Sequence, residues 1–219
     1  MQRSTVRNLR YIVRDASTLT AAVLTALLWI PVRAFAQFDS KDSLFLGCSE
    51  FLSLFPGFPG IVLRRGFYLM TLDEFGWDCT IEFGTWFAHR HTRIGRGVYI
   101  GGRCTLGMCI IGDQTLLGSN VDIIAGRHTH SFDDLSKPIA SQREQYDAVT
   151  IGRNCWLGNS TVVMADVGDD TVVGAGSVVV KPIPASVVAA GNPCAVKKSR
   201  LPDNRRAPAS IEIHEPVGH

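Results

Sequence analysis

The sequence predicts a mainly β fold, a parallel β-helix of hexapeptide repeats with an N-terminal apolar helical segment. Two observations predict it. Between Ile94 and Val179 an aliphatic residue returns about every six positions, usually with glycine behind it, while upstream of the repeat apolar residues recur at helical spacing. The aliphatic heads are Ile94, Ile100, Leu106, Ile111, Leu117 and Ile123, then Ile151, Leu157, Val163, Val167, Val173 and Val179. Eight of the ten steps within these two runs are six residues; Leu106 to Ile111 is five and Val163 to Val167 is four. Nine of the twelve heads precede glycine. A six-residue period marks a β-solenoid. An amphipathic helix would space its heads by three and four.

Strand side chains alternate between faces, so a head and the residue four places on both point inward. Those second positions hold Val98, Cys104, Thr115, Val121, Cys155, Thr161, Thr171 and Ser177, all small or β-branched. Each flat side of a narrow coil thus takes one large aliphatic and one small partner. Glycine after the head suits a corner of unusual backbone angles where a Cβ would crowd the next coil. Three such sides make a triangular coil of about eighteen residues, six for each flat side.

The N-terminal segment, residues 1–77, lacks the hexad. Leu9, Ile12, Val13, Ala16, Leu19, Val23, Leu27 and Ile30 keep helical spacing until Pro31. A second helical run, residues 44–55, aligns Leu44, Phe45, Cys48, Phe51, Leu52 and Phe55 before the breaker Pro56-Gly57-Phe58-Pro59-Gly60. A third, residues 61–75, sets Arg64 and Arg65 among apolar neighbours. Arg3, Arg7, Arg10 and Arg14 ahead of an apolar stretch resemble a secretory signal, with Ala34-Phe35-Ala36 as a cleavage-like site, but Arg33 interrupts it. A membrane span is disfavoured because the strongly apolar stretch between Leu19 and Val32 falls short of the roughly 20 residues a bilayer core requires. The expectation is amphipathic helices, lying on a membrane surface or capping the end of the coil.

Lys and Arg number 22 against 20 Asp and Glu, a net charge of +2, with no basic stripe to suggest nucleic acid. Six cysteines are scattered without CxxC pairs, and Cys104 and Cys155 fall in the small inward slot. They read as reduced core fillers, which suits a reducing compartment.

The repeat breaks for the 27 residues 124–150, an insertion long enough to carry function. It opens Ile124-Ala125-Gly126-Arg127-His128-Thr129-His130-Ser131-Phe132-Asp133-Asp134 and continues to Lys137-Pro138-Ile139. Beyond it come Val149-Thr150-Ile151-Gly152-Arg153-Asn154-Cys155-Trp156-Leu157-Gly158, Val173-Gly174-Ala175-Gly176-Ser177-Val178-Val179, Lys181-Pro182-Ile183-Pro184 and Ala190-Gly191-Asn192-Pro193. Over residues 81–197 the chain resembles the left-handed β-helix hexapeptide-repeat acyltransferases, the superfamily of maltose, galactoside, serine and xenobiotic acetyltransferases. The left hand of the coil is implied by this resemblance alone, since parallel crossovers in sheets ordinarily favour the right.

The resemblance implies acetyl-CoA as co-substrate and transfer to a sugar hydroxyl without an acyl-enzyme. His130 is expected as the catalytic general base, because imidazole ordinarily titrates near working pH. His128, two residues away, is the alternative base, and Asp133 or Asp134 is a candidate to orient the ring. Trp156, Gly158, Ala175, Gly176, Lys181 and Lys197 (or Lys198) are the expected cofactor contacts, the glycines leaving room for the pantetheine arm and the lysines facing phosphate. Glycine and alanine there have a structural reading too. No metal is expected: γ-type carbonic anhydrases share the fold and bind zinc through a His-x4-His pair, which His89, His91, His128 and His130 do not form.

Two departures bear on the acceptor. The stretch Ile100-Gly101-Gly102-Arg103-Cys104 lacks the asparagine of maltose and galactoside enzymes, and apolar helices replace their acceptor-binding domain. A surface polysaccharide or lipid-linked glycan is therefore expected as acceptor. Amino-sugar N-acetylation, xenobiotic acetylation and a non-catalytic scaffold are the alternatives. The expected organisation is a helical region 1–77, a β-helix domain 78–197 with its loop 124–150, and a tail 198–219. A homotrimer is expected from the resemblance. So is a cytoplasmic location, at the inner face of the membrane if residues 1–75 associate with it peripherally.

Overall fold

The computed structural model describes residues 16–35, 37–39, 42–125, 131–143 and 146–202. Its centre is a parallel β-helix of about six turns, preceded by helices, the architecture of left-handed hexapeptide coils. Two- and three-residue strands stack into three sheets that form the sides of a prism. Face I stacks Glu74–Phe75, Arg93–Ile94, Cys109–Ile111 and Val149–Ile151, and single bridges continue it through Val167 to Ile183. Face II stacks Thr80–Ile81, Tyr99–Ile100, Leu116–Leu117, Trp156–Leu157, Val172–Val173 and Val187–Ala190. Face III stacks Trp86–Phe87, Thr105–Leu106, Asp122–Ile123, Val162–Val163 and Val178–Val179. The closing strand Ala195–Ser199 pairs antiparallel with Val187–Ala190 and ends the stack.

All twelve heads are buried, as are their eight small partners. The stack also starts one coil earlier than the aliphatic pattern suggests. Phe75, Ile81 and Phe87 occupy head positions, two of them aromatic. Strands therefore begin at Glu74, ahead of residue 78, and the closing strand runs past residue 197.

The corners explain the glycines. A Cβ on Gly112 would lie 2.5 Å from Arg153 N, and one on Gly158 2.4 Å from Ala175 N. Coil stacking thus requires glycine here, and unusual backbone angles do not: the left-handed residues fall two places later. Gly84, Gly97, Arg103, Gln114, Asn120, Asn154, Ser160, Asp170, Gly176 and Ser186 all have positive φ, and each sits three residues after a head of face I or II. Most are glycine or short polar residues, which tolerate that region.

The same two edges keep a fixed length. Every step from face I to face II, and from II to III, is six residues. All irregularity lies on the edge from III back to I, where Phe87 to Ile94 is seven, Leu106 to Ile111 five, and both Val163 to Val167 and Val179 to Ile183 four. The 27-residue loop leaves from this edge too. Of the twelve aliphatic heads between Ile94 and Val179, the three without a following glycine, Ile123, Val163 and Val179, all belong to face III.

Four helices precede the coil: α1 Ala16–Leu24, α2 Ala26–Phe35, α3 Ser43–Ser53 and α4 Gly57–Thr71. Several boundaries differ from the sequence expectation, and the third run ends at Thr71, before the strand Glu74–Phe75. Pro31 lies inside α2, where it removes one backbone donor, and the chain bends 66° at Thr25 instead. The Pro-Gly-rich breaker starts α4 at Gly57; Pro59 falls in the first turn, where an N–H has no helical partner anyway. Helices α3 and α4 close the end of the prism. Phe45, Leu52, Phe67 and Tyr68 join the same core as Ile81 and Phe87, and the Tyr68 and Phe87 rings meet edge to face at 4.7 Å. Each such buried side chain contributes about 1.5–3 kcal/mol.

Carbonyls at the open end of the β-helix and at the end of α3 need donors, and α4 supplies them. Arg64, fully buried, donates from Nε to Ile81 O at 3.0 Å and from Nη1 to Leu52 O and Phe55 O at 3.1 and 2.8 Å. Arg65 donates from Nε to Cys79 O at 2.8 Å. Two arginines in an apolar run are thus the polar half of a cap.

Candidate active site

The long loop leaves face III after Ile123 and re-enters face I at Val149, whose N–H donates to Met108 O of the coil before it. Both expected bases, His130 and His128, lie outside the described residues, as do Gly126, Arg127 and Thr129. The described part of the insertion folds on itself. Ser131 N donates to Arg143 O at 2.9 Å and pins its two arms together. Asp134 accepts from Ser136 N and Oγ and pairs with Lys137 Nζ at 2.8 Å, while the Gln142 side chain bonds the Asp134 backbone. The Lys137 contact and the Ser136 hydrogen bonds hold the Asp134 carboxyl below its ordinary range. Asp134 therefore organises the loop's own turn before the short 3-10 segment Ile139–Ser141, and Asp133 is exposed beside it.

The returning arm brings in residues that the sequence did not single out for this site. Tyr146 packs against His89, ring centroids 5.0 Å apart. His89 belongs to the seven-residue step on the III-to-I edge, two coils below the loop. Its Nδ1 lies 3.8 Å from Asp42 Oδ2, and Asp42 also accepts from Arg90 Nε at 2.7 Å and Arg90 N at 3.2 Å. Burial opposes the charge on Asp42, but hydrogen bonds from His89 and Arg90 outweigh it and hold the carboxyl below its usual range. His91 Nδ1 lies 3.2 Å from Asp73 Oδ2 on the same edge. The run His89-Arg90-His91 in an over-long step was the available signal. Among the described residues no group of three or more His, Cys, Asp or Glu is placed to hold a metal ion.

The expected cofactor contacts divide between two edges. Gly158, Ala175 and Gly176 stack on the II-to-III edge, with Gly176 N donating to Asn159 O at 2.9 Å. Nothing lies within 4 Å of where a Gly176 Cβ would be, so the edge is open at that position, whereas Gly158 is packed against Ala175 of the next coil. Trp156 is a strand residue of face II, its side chain exposed beside that edge. Lys197 is exposed on the closing strand, with Nζ near Gly191. Lys181 is exposed on the III-to-I edge, across face III from the glycines and on the edge from which the loop departs. Among the described residues, face III thus lies between these glycines and the start of the loop.

Comparison with known proteins agrees with this geometry. Residues 148–181 match the model of the hexapeptide repeat of succinyl-transferase. The chain is 36% identical over 133 residues to a galactoside O-acetyltransferase of Lactococcus lactis, covering 58% of this chain and 62% of that one. It is 38% identical over 101 residues to a putative colanic acid biosynthesis acetyltransferase, WcaF, of Escherichia coli, covering 44% and 50%. The crystal structure of a maltose O-acetyltransferase from Clostridium difficile superposes with a TM-score of 0.61 at 26% identity, over 71% of this chain and 84% of that one. Over its coil the chain is similar to hexapeptide-repeat acetyltransferases. It spans less than two thirds of the length of the galactoside O-acetyltransferase it matches.

Proposed function

We propose that the protein is an acetyl-CoA-dependent O-acetyltransferase acting on a sugar hydroxyl, with a surface polysaccharide or lipid-linked glycan as acceptor. The observation that carries this reading is the placement of a histidine-bearing loop at the irregular edge of a coil whose neighbouring edge is a glycine wall. O-acetyltransfer is what the galactoside and maltose relatives are named for, and the WcaF relative is named for colanic acid biosynthesis.

His130 takes the proton from the acceptor hydroxyl as its oxygen attacks the thioester carbonyl, and His128 is the second candidate. The acetyl–oxygen bond forms as the carbon–sulfur bond breaks, and the thiolate takes up the proton. Backbone N–H groups suit the transient oxyanion. Trp156, Gly158, Ala175 and Gly176 bind the extended arm of acetyl-CoA, with Lys197 and Lys181 at its phosphates. Since face III separates Lys181 and the loop from the glycine wall, each site is completed by a neighbouring copy in a homotrimer. The reaction is placed in the cytoplasm, where acetyl-CoA is made.

The test is coenzyme A release from acetyl-CoA with a panel of glycans, for the wild type, His130→Ala and His128→Ala. Loss of a general base costs about 10²–10⁴-fold in turnover. We expect that loss in His130→Ala, with binding of acetyl-CoA retained in calorimetry. The same loss in His128→Ala alone transfers the role to that residue. No turnover and no acetyl-CoA binding by the wild type overturns the reading in favour of a scaffold, and turnover only with amines points to N-acetylation.

A further inference from the structure

Helix α1 and the bend after it are built inside out, while α2 packs Val32, Leu28 and Trp29 against the core. Toward the protein they turn small residues: Thr18, Ala21, Ala22 and Thr25 are buried. Gly66 of α4 lets α1 approach so closely that a Cβ there would lie 2.6 Å from the Ala21 backbone. Toward the outside both helices turn Leu19, Val23, Leu24, Leu27 and Ile30, with Leu27 88% exposed. A helix in water buries its large apolar residues, whereas helices in lipid pack through small residues and leave the large ones to the acyl chains. The pattern is continuous with exposed Phe51, Leu54, Phe55 and Phe58. An apolar groove of about 560 Å³ opens between α1 and α4, lined chiefly by Ala21, Leu24, Phe58, Pro59, Val62 and Leu63.

Polar groups on this surface need no water. Thr20 Oγ1 donates back to Ala16 O at 3.0 Å and Thr25 Oγ1 to Ala21 O at 2.8 Å. Residues 16–32 carry no charged side chain. Exposed Arg33 follows, and four arginines, Arg3, Arg7, Arg10 and Arg14, precede α1 in the sequence. Neither helix spans a bilayer: at ~1.5 Å per residue each is about 15 Å long, half the hydrocarbon thickness. They meet at a 66° bend and so do not form one straight span.

We infer that α1 and α2 form a monotopic insertion into one leaflet of an anionic membrane, with the apolar groove taking a lipid acyl chain and Arg33 at the headgroups. This goes beyond the acetyltransferase reading and does not depend on it.

Flotation of the full chain with vesicles of phosphatidylcholine and phosphatidylglycerol tests it, using wild type, Val23→Glu/Leu27→Glu and the loop control Leu135→Glu. Both helix positions are highly exposed, so the double variant should fold, checked by circular dichroism. The wild type and the control are expected to float, more on anionic than on neutral vesicles, and the double variant to bind at least ten-fold less. Equal partition of wild type and double variant, or no flotation of the wild type, overturns the inference. So does a change of sedimentation coefficient in the double variant without lipid, which would make the face a protein interface. Turnover on a soluble acceptor reports the active site separately.

Discussion

Thr115 shows what the small inward slot requires. Its hydroxyl donates to Gly152 O of the next coil at 2.7 Å and accepts from Cys155 N at 3.0 Å. Thr85, Cys104, Cys155 and Thr171 repeat the donation, each to the backbone carbonyl after a head one coil on. The sequence showed that the slot is small; that it is also a donor slot emerges only when the coils are stacked. Thr115→Val keeps the volume but strands a buried acceptor and a buried donor, so a loss of about 2–4 kcal/mol is expected in urea unfolding. Thr115→Ser should lose less than half of that. Asp42 gives a pH prediction. Its carboxyl is held below the ordinary aspartate value, so it adds stability above about pH 4, the unfolded value, and that addition disappears as pH falls through the lower folded value. Asp42→Asn tolerates the left-handed backbone, φ 53°, and isolates the charge. The variant should be less stable at neutral pH, and its urea midpoint should fall less steeply than the wild type's between pH 4 and 2.5.

At the scale of elements, the cap formed by α3 and α4 depends on one guanidinium. Arg64 satisfies carbonyls from three segments, and its Nη2 has no hydrogen-bond partner among the described residues. Arg64→Leu relieves a buried charge but leaves three carbonyls without that donor, each worth about 1–3 kcal/mol. The net expectation is a loss of at least ~2 kcal/mol, read as a lower urea midpoint, with the later coils still giving a β-type circular dichroism spectrum. The helices themselves were legible from periodicity, but their role was not. Phe45 and Phe51 both lie on the apolar stripe of α3, yet Phe45 is in the core and Phe51 is half exposed. A stripe announces burial without naming what covers it. The opening strand of the coil fell outside the expected domain for a related reason: Phe75, like Phe87, serves as a head without being aliphatic.

For the whole molecule, the hexad foretold the prism because each aliphatic head has one place to go in a narrow triangular coil. The loop's position was equally legible as the gap in that period. What a linear reading could not supply is which edge each residue joins, so Lys181 was grouped with Gly158 and Ala175 although they stand on different edges. His89 and Tyr146 were not connected because 57 positions of chain separate two residues whose rings touch. The division of labour among the edges also bears on how such a chain can change. Two edges are locked by six-residue steps and left-handed corners, so an added residue there would turn every later side chain of its face from inside to outside. The third has already absorbed steps of four, five, seven and twenty-eight without disturbing the stack. Growth, loss and exchange of loops are thereby confined to one line along the prism, and new specificity can be tried there while the remainder of the molecule stays as it is.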